Sequence, residues 1–294
     1  MKIIDSHVHL YPPAVSRDPA AWAAAEGEMH WATLSTRRRR DGRPVQGFPG
    51  LDDLLRAMDA ASVQRAILQG WYWNRPESCV AQNRFYADCI RAHPDRLSAC
   101  GAFHPGLGEE GALAEVRRMK AEGFVGLGEL SPHSQGYAVD DRIFRAVLTL
   151  AGELNFPVTL HVTDPDSRSY PGRVDTPLDD FVRLAGEYPQ IHFILAHWGG
   201  LLPLRDLTAV TLANVYYDTA ASPLLYDSTI WQRFSAAVGA GRILFGSDFP
   251  LNLYPKLDSD SAMIRLVDEA RGAGLEPAKL DALLEGNAAR LFRL

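Results

Sequence analysis

The sequence Met1-Lys-Ile-Ile-Asp5-Ser-His7-Val-His9-Leu10 opens the chain with a short apolar run that leads into two histidines. We predict that residues 2–4 form a buried strand and that the histidines stand at its end. Because side chains alternate between the two faces of a strand, His7 and His9 would point the same way. Such a pair is half of a metal site, but two histidines that cap a strand at the surface would look the same.

Seven further stretches repeat the pattern of an apolar run and an amphipathic segment. The predicted strands after the first cover residues 65–69, 97–103, 124–129, 157–161, 191–197, 215–218 and 242–248. The predicted helices cover residues 51–60, 77–92, 109–121, 141–154, 178–187, 201–212, 228–238, 261–272 and 277–292. Strands that alternate with helices indicate a parallel sheet, and eight such units make a closed barrel. We therefore predict an α/β fold, a single (β/α)8 TIM barrel over residues 1–294, with a long loop insertion after the first strand.

The composition is that of an ordinary soluble protein. The chain has 294 residues, of which 47% are hydrophobic and 22% charged, and a net charge of −6, so nucleic-acid binding is not expected. No apolar run is long enough to cross a bilayer, and the charged start does not fit a signal peptide. The three cysteines lack a C-x-x-C spacing, which favours reduced thiols and a cytoplasmic protein.

Residues that bind metals follow the predicted strands at the end where such a barrel carries its chemistry. They are His7, His9, Glu129, His161, His197 and Asp248. Imidazole nitrogens and carboxylate oxygens are ligands of zinc, manganese and iron. Six such residues at one rim are far more specific than one His-x-His. We predict a site for one or two divalent cations, with zinc as the first choice and manganese or iron as alternatives.

Five motifs resemble the amidohydrolase superfamily, and within it the group that includes aminocarboxymuconate semialdehyde decarboxylase. They are Asp5-Ser-His7-Val-His9, Leu160-His161, Ala196-His197-Trp-Gly-Gly200, Gly246-Ser-Asp248-Phe-Pro250 and Gly286-Asn-Ala-Ala-Arg-Leu-Phe292. The resemblance covers nearly the whole chain. It is specific for the superfamily and unspecific for a substrate.

The resemblance also implies roles for single residues. His7, His9 and His161 would bind the first metal, and Asp248 would be a ligand that also handles a proton. His197 would bind a second metal, or would orient the water in a one-metal enzyme. Two-metal members bridge their ions with a carboxylate from the fourth strand, which here has no lysine to carbamylate. Glu129 would then be the bridge, as in TatD-like deoxyribonucleases, and the alternative is a buried glutamate paired with a histidine or an arginine.

These roles predict a metal-dependent hydrolase that cleaves a small ester, lactone or amide with a metal-activated water. Asp248 and His197 are its predicted catalytic residues. The alternative is a metal-dependent non-oxidative decarboxylase, a lyase acting on an aromatic or muconate-like carboxylic acid. A deoxyribonuclease is disfavoured by the acidic balance, and a barrel that only binds a ligand is disfavoured by the six metal-type residues.

The substrate side of the site is predicted from residues that follow the strands. They are His133, Trp73, Arg75, Arg168 and Asn252. Residues 11–48 form a long, proline-interrupted segment that is predicted to be an insertion and a lid over the site. Its run Arg37-Arg-Arg-Arg40 is typical of a solvated or oligomer-facing surface, and the alternative is contact with an anionic substrate. The expected partner is a small molecule, with no nucleic acid and no membrane, and a homo-oligomer is left open.

Overall fold

The strands form one parallel sheet that curves into a barrel. The computed structural model describes residues 2–294, and its eight strands lie in the sheet in the order of the sequence. They are β1 (Ile4–Val8), β2 (Arg65–Gln69), β3 (Leu97–Gly101), β4 (Gly126–Leu130), β5 (Val158–Leu160), β6 (Phe193–Leu195), β7 (Val215–Asp218) and β8 (Ile243–Leu244). The end of the sheet returns to its beginning, because the Ser6 amide donates to the Phe245 carbonyl and the Asp248 amide to the His7 carbonyl, both at 2.8 Å. The predicted (β/α)8 barrel is confirmed.

Helices connect the strands on the outside of the barrel. They are α1 (Pro13–Arg17), α2 (Pro19–Glu26), α3 (Met29–Ser35), α4 (Leu51–Ala60), α5 (Pro76–Ala92), α6 (Gly108–Ala121), α7 (Pro132–Gln135), α8 (Arg142–Glu153), α9 (Leu178–Glu187), α10 (Leu202–Arg205), α11 (Ser222–Leu225), α12 (Ile230–Val238), α13 (Ile264–Arg271), α14 (Pro277–Asp281) and α15 (Asn287–Phe292). Sequence patterns explain their bounds: α8 begins where the Asp141 side chain accepts hydrogen bonds from the amides of Ile143 and Phe144, a typical N-cap. Within residues 2–294, no helix combines the length and apolarity that crossing a membrane requires.

The first strand differs from its prediction. It covers Ile4–Val8 instead of residues 2–4, so His7 lies inside it and His9 follows it. The prediction stopped at the first polar residue, but the polar groups of this strand have partners inside the barrel. Asp5 Oδ1 accepts from the His7 and Ser247 amides, and the Ser6 hydroxyl donates to the Phe245 carbonyl. Satisfied polar groups can be buried at little cost, so the strand continues through them.

The predicted helix at residues 201–212 is wrong. The chain there forms the short helix α10, followed by a 3-10 turn at Leu207–Thr211. Before α10, Trp198 and Leu201 have φ values of 57° and 61°, in the left-handed region that interrupts a right-handed helix. His197, one of the predicted metal-type residues, is thus followed by a tight turn.

Residues 11–48 contain more regular structure than predicted. Three short helices, α1 to α3, fill their first part, and two of them begin at prolines that the prediction counted as helix breakers. Proline fits the first helical position because its missing amide has no helical partner there. The second part is a hairpin, residues 37–47, closed by an antiparallel bridge between Arg38 and Pro44.

The segment is fixed to the barrel at both parts. Trp31 of α3 packs edge-on or tilted against Tyr11 and Trp73, with ring centroids 5.3 Å apart in each pair. The hairpin, residues 37–47, joins the chain after β8, where Gln46 and Leu251 form an antiparallel bridge. These contacts place the segment beside the end of the barrel that carries Asp248.

Candidate metal centre

A single carboxylate, Glu129 at the end of β4, lies between two pairs of histidines. Its Oε2 atom is 3.7 Å from His7 Nε2 and 3.6 Å from His9 Nε2. Its Oε1 atom is 2.8 Å from His161 Nδ1 and 3.4 Å from His197 Nε2. The cluster has two halves that share Glu129, one with His7 and His9 and the other with His161 and His197. In each half, every residue offers one ligand atom, and these three atoms lie within 4.8 Å of one another. The five residues therefore offer two adjoining positions for cations, with one carboxylate oxygen facing each.

Asp248, in the chain that follows β8, completes the cluster. Its Oδ1 atom lies 3.4 Å from His9 Nε2 and 3.9 Å from His7 Nε2, and its Oδ2 atom lies 3.9 Å from His197 Nδ1. The structure thus brings all six predicted metal-type residues together at one rim.

The hydrogen bonds of His7 and His9 test whether this cluster suits a cation. His9 Nδ1 is 3.0 Å from the Gln69 carbonyl oxygen, which can only accept, so this nitrogen carries the proton. His7 Nδ1 is 2.8 Å from Asp218 Oδ2 and likewise donates. In the neutral rings both Nε2 atoms then carry lone pairs, and they face each other at 3.2 Å. A cation held by both rings would satisfy the two lone pairs. A second ring nitrogen that donates to a carboxylate or a carbonyl is typical of metal-binding histidines.

The electrostatic environment of the histidines also favours a bound cation. Burial disfavours the protonated form of His7, but Asp218 and Glu129 raise its pKa well above the usual value. Burial opposes the charge of His197 in the same way, yet its hydrogen bond to Glu129 and the nearby Asp248 raise its pKa to about 9. A position that stabilises positive charge this strongly also attracts a divalent ion.

The two carboxylates show the matching shifts. Burial alone would raise the pKa of Glu129, but His161 and His7 hold it well below its usual value. Burial acts the same way on Asp248, and its hydrogen bond to His9 and the charge of His7 lower its pKa to about 2. Both groups are therefore anionic at neutral pH.

The first strand and the chain after β8 fix His7. Asp5 Oδ1 accepts from the amides of His7 (3.1 Å) and Ser247 (2.9 Å), which ties the two segments together. Gly246 lies directly against His7, because a Cβ at residue 246 would be 2.8 Å from the His7 Cβ. This close approach leaves room for glycine only.

A cavity of about 780 Å³ opens onto the cluster, which is a size typical of small-molecule sites. From the cluster it is lined by His9, Glu129, His161, His197 and Asp248. Its other walls include the aromatic residues Trp71, Tyr72 and Tyr170 and the cationic residues Arg37, Arg39, Arg40, Arg168 and Lys256. Residues 11–48 therefore supply part of the wall.

Of the predicted substrate-binding residues, Arg168 lines this cavity. Trp73 is fully buried and its Nε1 donates to Gln82 Oε1 at 2.7 Å, within the aromatic cluster that holds α3. Trp73 is not one of the described residues that line the cavity.

The remaining three lie elsewhere as well. His133 Nε2 is 2.9 Å from Asp180 Oδ2, at the start of α9. Asn252 is buried and its side-chain amide donates to the Asp258 carbonyl at 3.1 Å. Arg75 has a side chain that is 59% exposed. The structure does not bring these three side chains into the described lining of the cavity.

Asp218 is a site residue that was not predicted from the sequence, whereas Tyr72 belongs to the stretch after β2 that was predicted as an apolar pocket wall. Asp218 ends β7 and holds His7, and the Tyr72 ring lies 4.9 Å from the His161 ring between centroids. Asp218 carried the same signal as Glu129 and Asp248, an acidic side chain at the end of a predicted strand. Tyr72 and Trp71 line the cavity as that prediction requires.

A family model described as amidohydrolase matches residues 4–294. The chain belongs to the amidohydrolase family. No curated protein matches this amidohydrolase significantly. Membership of this family supports the conclusion that the protein is an enzyme of the amidohydrolase superfamily. Together with the cluster of histidines and Glu129, it also supports the binding of a divalent cation.

Solved structures similar to this amidohydrolase include two decarboxylases. The 2,6-dihydroxybenzoate decarboxylase from Rhizobium has a TM-score of 0.69 at 20% identity, over 100% of this chain and 99% of its own. The 5-carboxyvanillate decarboxylase from Novosphingobium aromaticivorans, in complex with manganese, has a TM-score of 0.75 at 15% identity, over 99% and 96%. A structure named amidohydrolase II has a TM-score of 0.71 at 18% identity, over 99% and 100%. At these identities the likeness shows the fold.

Proposed function

We propose that this amidohydrolase is a metal-dependent hydrolase that cleaves a small ester, lactone or amide. The observation that carries the proposal is the position of Glu129, whose two oxygens face separate histidine pairs. A carboxylate so placed would bridge two cations, for which zinc, manganese and iron all accept these ligands. A pair of bridged cations is typical of hydrolytic sites.

Each residue then has a distinct task. His7, His9, His161, His197 and Glu129 would hold the cations. When bound, a divalent cation lowers the pKa of its water from about 15.7 towards 7 and polarises a carbonyl. Asp248 is anionic and lies on the cavity wall, so its carboxylate would take the proton of the attacking water and pass it to the leaving group. His197 would orient the water or stabilise the developing oxyanion if it is not a ligand.

A metal-dependent decarboxylase is the second candidate. Two observations favour it: the similar structures named as decarboxylases, one with manganese, and the arginines that line the cavity. An arginine beside the metal would hold the carboxylate that leaves as CO₂. Such an enzyme has no need for a water nucleophile.

One panel of substrates separates the two. The protein loaded with manganese or zinc would be offered neutral lactones, aryl esters and anilides alongside hydroxybenzoates and other arene carboxylates. We expect proton release from the first set without CO₂, and loss of that activity in Asp248→Asn. CO₂ release from the second set with no hydrolysis of the first would overturn the hydrolase in favour of the decarboxylase.

A further inference from the structure

The cavity wall carries an excess of positive charge on residues that do not belong to the metal cluster. Its cationic side chains are Arg37, Arg39, Arg40, Arg168 and Lys256. Among residues 2–294, none of the five forms an ion pair with a carboxylate, since all described pairs involve other residues. This local excess contrasts with the net charge of −6 of the whole chain.

The acidic residues on the cavity wall cannot neutralise this charge. Glu129 and Asp248 belong to the histidine cluster. Asp164 is occupied by Arg205 Nη2 at 2.9 Å and by the Tyr226 hydroxyl at 2.5 Å. The cationic side chains therefore lack protein counterions within the described cavity.

Arg39 has a donor that needs a partner. Its Nη2 donates to the Asn252 carbonyl at 2.9 Å, but its Nε is buried and makes no hydrogen bond within residues 2–294. Buried donors are rarely left unsatisfied in proteins. Burial and the neighbouring Arg37 lower the pKa of Arg39, although the charge of Asp41 opposes this shift.

Arg37 is held in place without using its terminal nitrogens. Its Nε donates to the Leu34 carbonyl at 3.2 Å, and its guanidinium lies 5.2 Å from the centroid of the Tyr170 ring. Stacking on an aromatic ring orients a guanidinium at low entropic cost. Within residues 2–294 no hydrogen bond uses its two terminal nitrogens, so they are available for an oxyanion.

Backbone hydrogen bonds fix these arginines relative to the metal cluster. The Val45 amide donates to the Arg37 carbonyl, and the Asn252 amide donates to the Val45 carbonyl at 3.0 Å. The Leu251 amide in turn donates to the Asp248 carbonyl at 2.9 Å. The hairpin, residues 37–47, is thus attached to the segment that carries the predicted catalytic aspartate.

We propose that the cavity binds an anionic group of the substrate through Arg37, Arg39 and Arg168, while the reacting bond lies at the metal cluster. The substrate would then be a small acid with an oxyanion remote from the bond that is cleaved. The fork of an arginine matches a carboxylate or a phosphate with two parallel hydrogen bonds. The statement about the reacting bond rests on the proposed hydrolase, but the binding of the anion does not.

Two arginines of the same hairpin serve as controls, because they have protein partners. Arg38 donates from Nη1 to the Gly42 carbonyl at 2.8 Å, and Arg43 pairs with Asp41 at 2.6 Å. Neither Arg38 nor Arg43 is one of the described residues that line the cavity. Replacing Arg38 removes the same charge from the same hairpin without touching the proposed subsite.

The first experiment measures binding without turnover. Calorimetry on the metal-loaded protein would compare succinate, glutarate, adipate and pimelate with the monocarboxylates of the same length. We expect one dicarboxylate to bind about 10- to 100-fold more tightly than its monocarboxylate, the gain expected for a charged hydrogen bond. A phosphonate-ended analogue of that compound distinguishes phosphate from carboxylate as the preferred oxyanion, and preference for either supports the subsite.

Variants then assign the gain to the arginines. Arg39→Gln, and Arg168→Gln from a different loop, should each reduce the advantage of the dicarboxylate, whereas Arg38→Gln should keep it. Arg168→Gln and Arg37→Gln keep the test open if Arg39→Gln does not fold. Equal affinities for both acid series, or equal losses in Arg38→Gln and Arg39→Gln, would overturn the subsite. Charge-dependent binding without hydrolysis of any ester, lactone or amide would retain the subsite and reject the hydrolase.

Discussion

The Nδ1 atom of His7 lies 2.8 Å from the Oδ2 atom of Asp218, and both side chains are buried. The other carboxylate oxygen of Asp218 accepts from the amides of His197 and Ala220, each at 3.0 Å. One carboxylate on β7 therefore fixes the ring of His7 and the backbone of His197. Since these histidines lie in different halves of the cluster, Asp218 couples the two proposed cation positions.

Replacing Asp218 with asparagine should weaken metal binding. An asparagine side chain can keep the amide contacts through its oxygen, but its NH₂ group would face His7 Nδ1 and donate to it. The proton of His7 would then move to Nε2, the atom that faces Glu129. Loss of such a supporting partner typically costs about 10- to 100-fold in metal affinity. Competition with a metal-sensitive dye measures the effect.

The control for this variant is Asp227→Asn. Asp227 is an exposed residue that caps a turn through the Thr229 amide, so its replacement should leave metal affinity unchanged. Equal affinities of wild type and Asp218→Asn would contradict the tautomer argument.

Glu129→Gln should lower the number of bound cations. The neutral amide removes the charge shared by both halves of the cluster and presents its NH₂ group to one of them. We expect elemental analysis to find about two ions per chain in the wild type and at most one in the variant. Glu110→Gln, an exposed change on α6, should bind as the wild type does. Two ions in Glu129→Gln would rule out the bridging role.

Asp248→Asn should abolish turnover while the metal stays largely bound. Four histidines and Glu129 remain as ligands, but the group proposed to move the proton is gone, which typically costs about 10²- to 10⁴-fold in rate. The experiment pairs kcat with elemental analysis on the same sample. Asp260→Asn, an exposed change in the following loop, is the control. Undiminished kcat in Asp248→Asn would sink the assignment.

Removal of the metal should destabilise the fold. Without a cation, Glu129 and Asp248 are buried anions whose nearest partners are histidines. A ligand that binds only the folded chain stabilises it by about 2.7 kcal/mol at a hundredfold excess over its Kd. Denaturant unfolding with chelator and with added manganese measures this difference. Identical midpoints under the two conditions would argue against a resident cation.

The barrel was predictable because its signals are local. The strands β2 and β7 and the helices α4 and α9 have the predicted bounds, since each is an apolar or amphipathic run bounded by turn residues. The broken helix after His197 was not predictable in this way. Its break is a left-handed turn at Trp198–Leu201, and such a turn depends on packing against residues distant in sequence, such as the Tyr217 ring beneath Gly199.

The cluster was predictable for a different reason. A closed parallel barrel brings all strand ends to one rim, so residues far apart in sequence could be placed together without knowing any contact. That rule says nothing about loops. The run that contains Arg37 and Arg39 was typical of a solvated or oligomer-facing surface, with contact to an anionic substrate as the alternative. The place of the two arginines on the cavity wall follows from backbone pairing between the hairpin, residues 37–47, and the chain near Asn252. No pattern in either segment announces this pairing.

Gly246→Ala should disturb the metal cluster through packing alone. A Cβ at this position would be 2.8 Å from the His7 Cβ, so β1 or the chain after β8 has to move. Overpacking of this kind costs about 1–3 kcal/mol in the free energy of unfolding, and any shift of His7 also weakens metal binding. The matched control is Gly241→Ala, where a Cβ has no heavy atom within 4 Å and the expected change in stability is below about 0.5 kcal/mol. Denaturant unfolding and metal titration of both variants distinguish the two positions. Equal stability and equal metal affinity of Gly246→Ala and Gly241→Ala would contradict the prediction that close packing of Gly246 against His7 is needed.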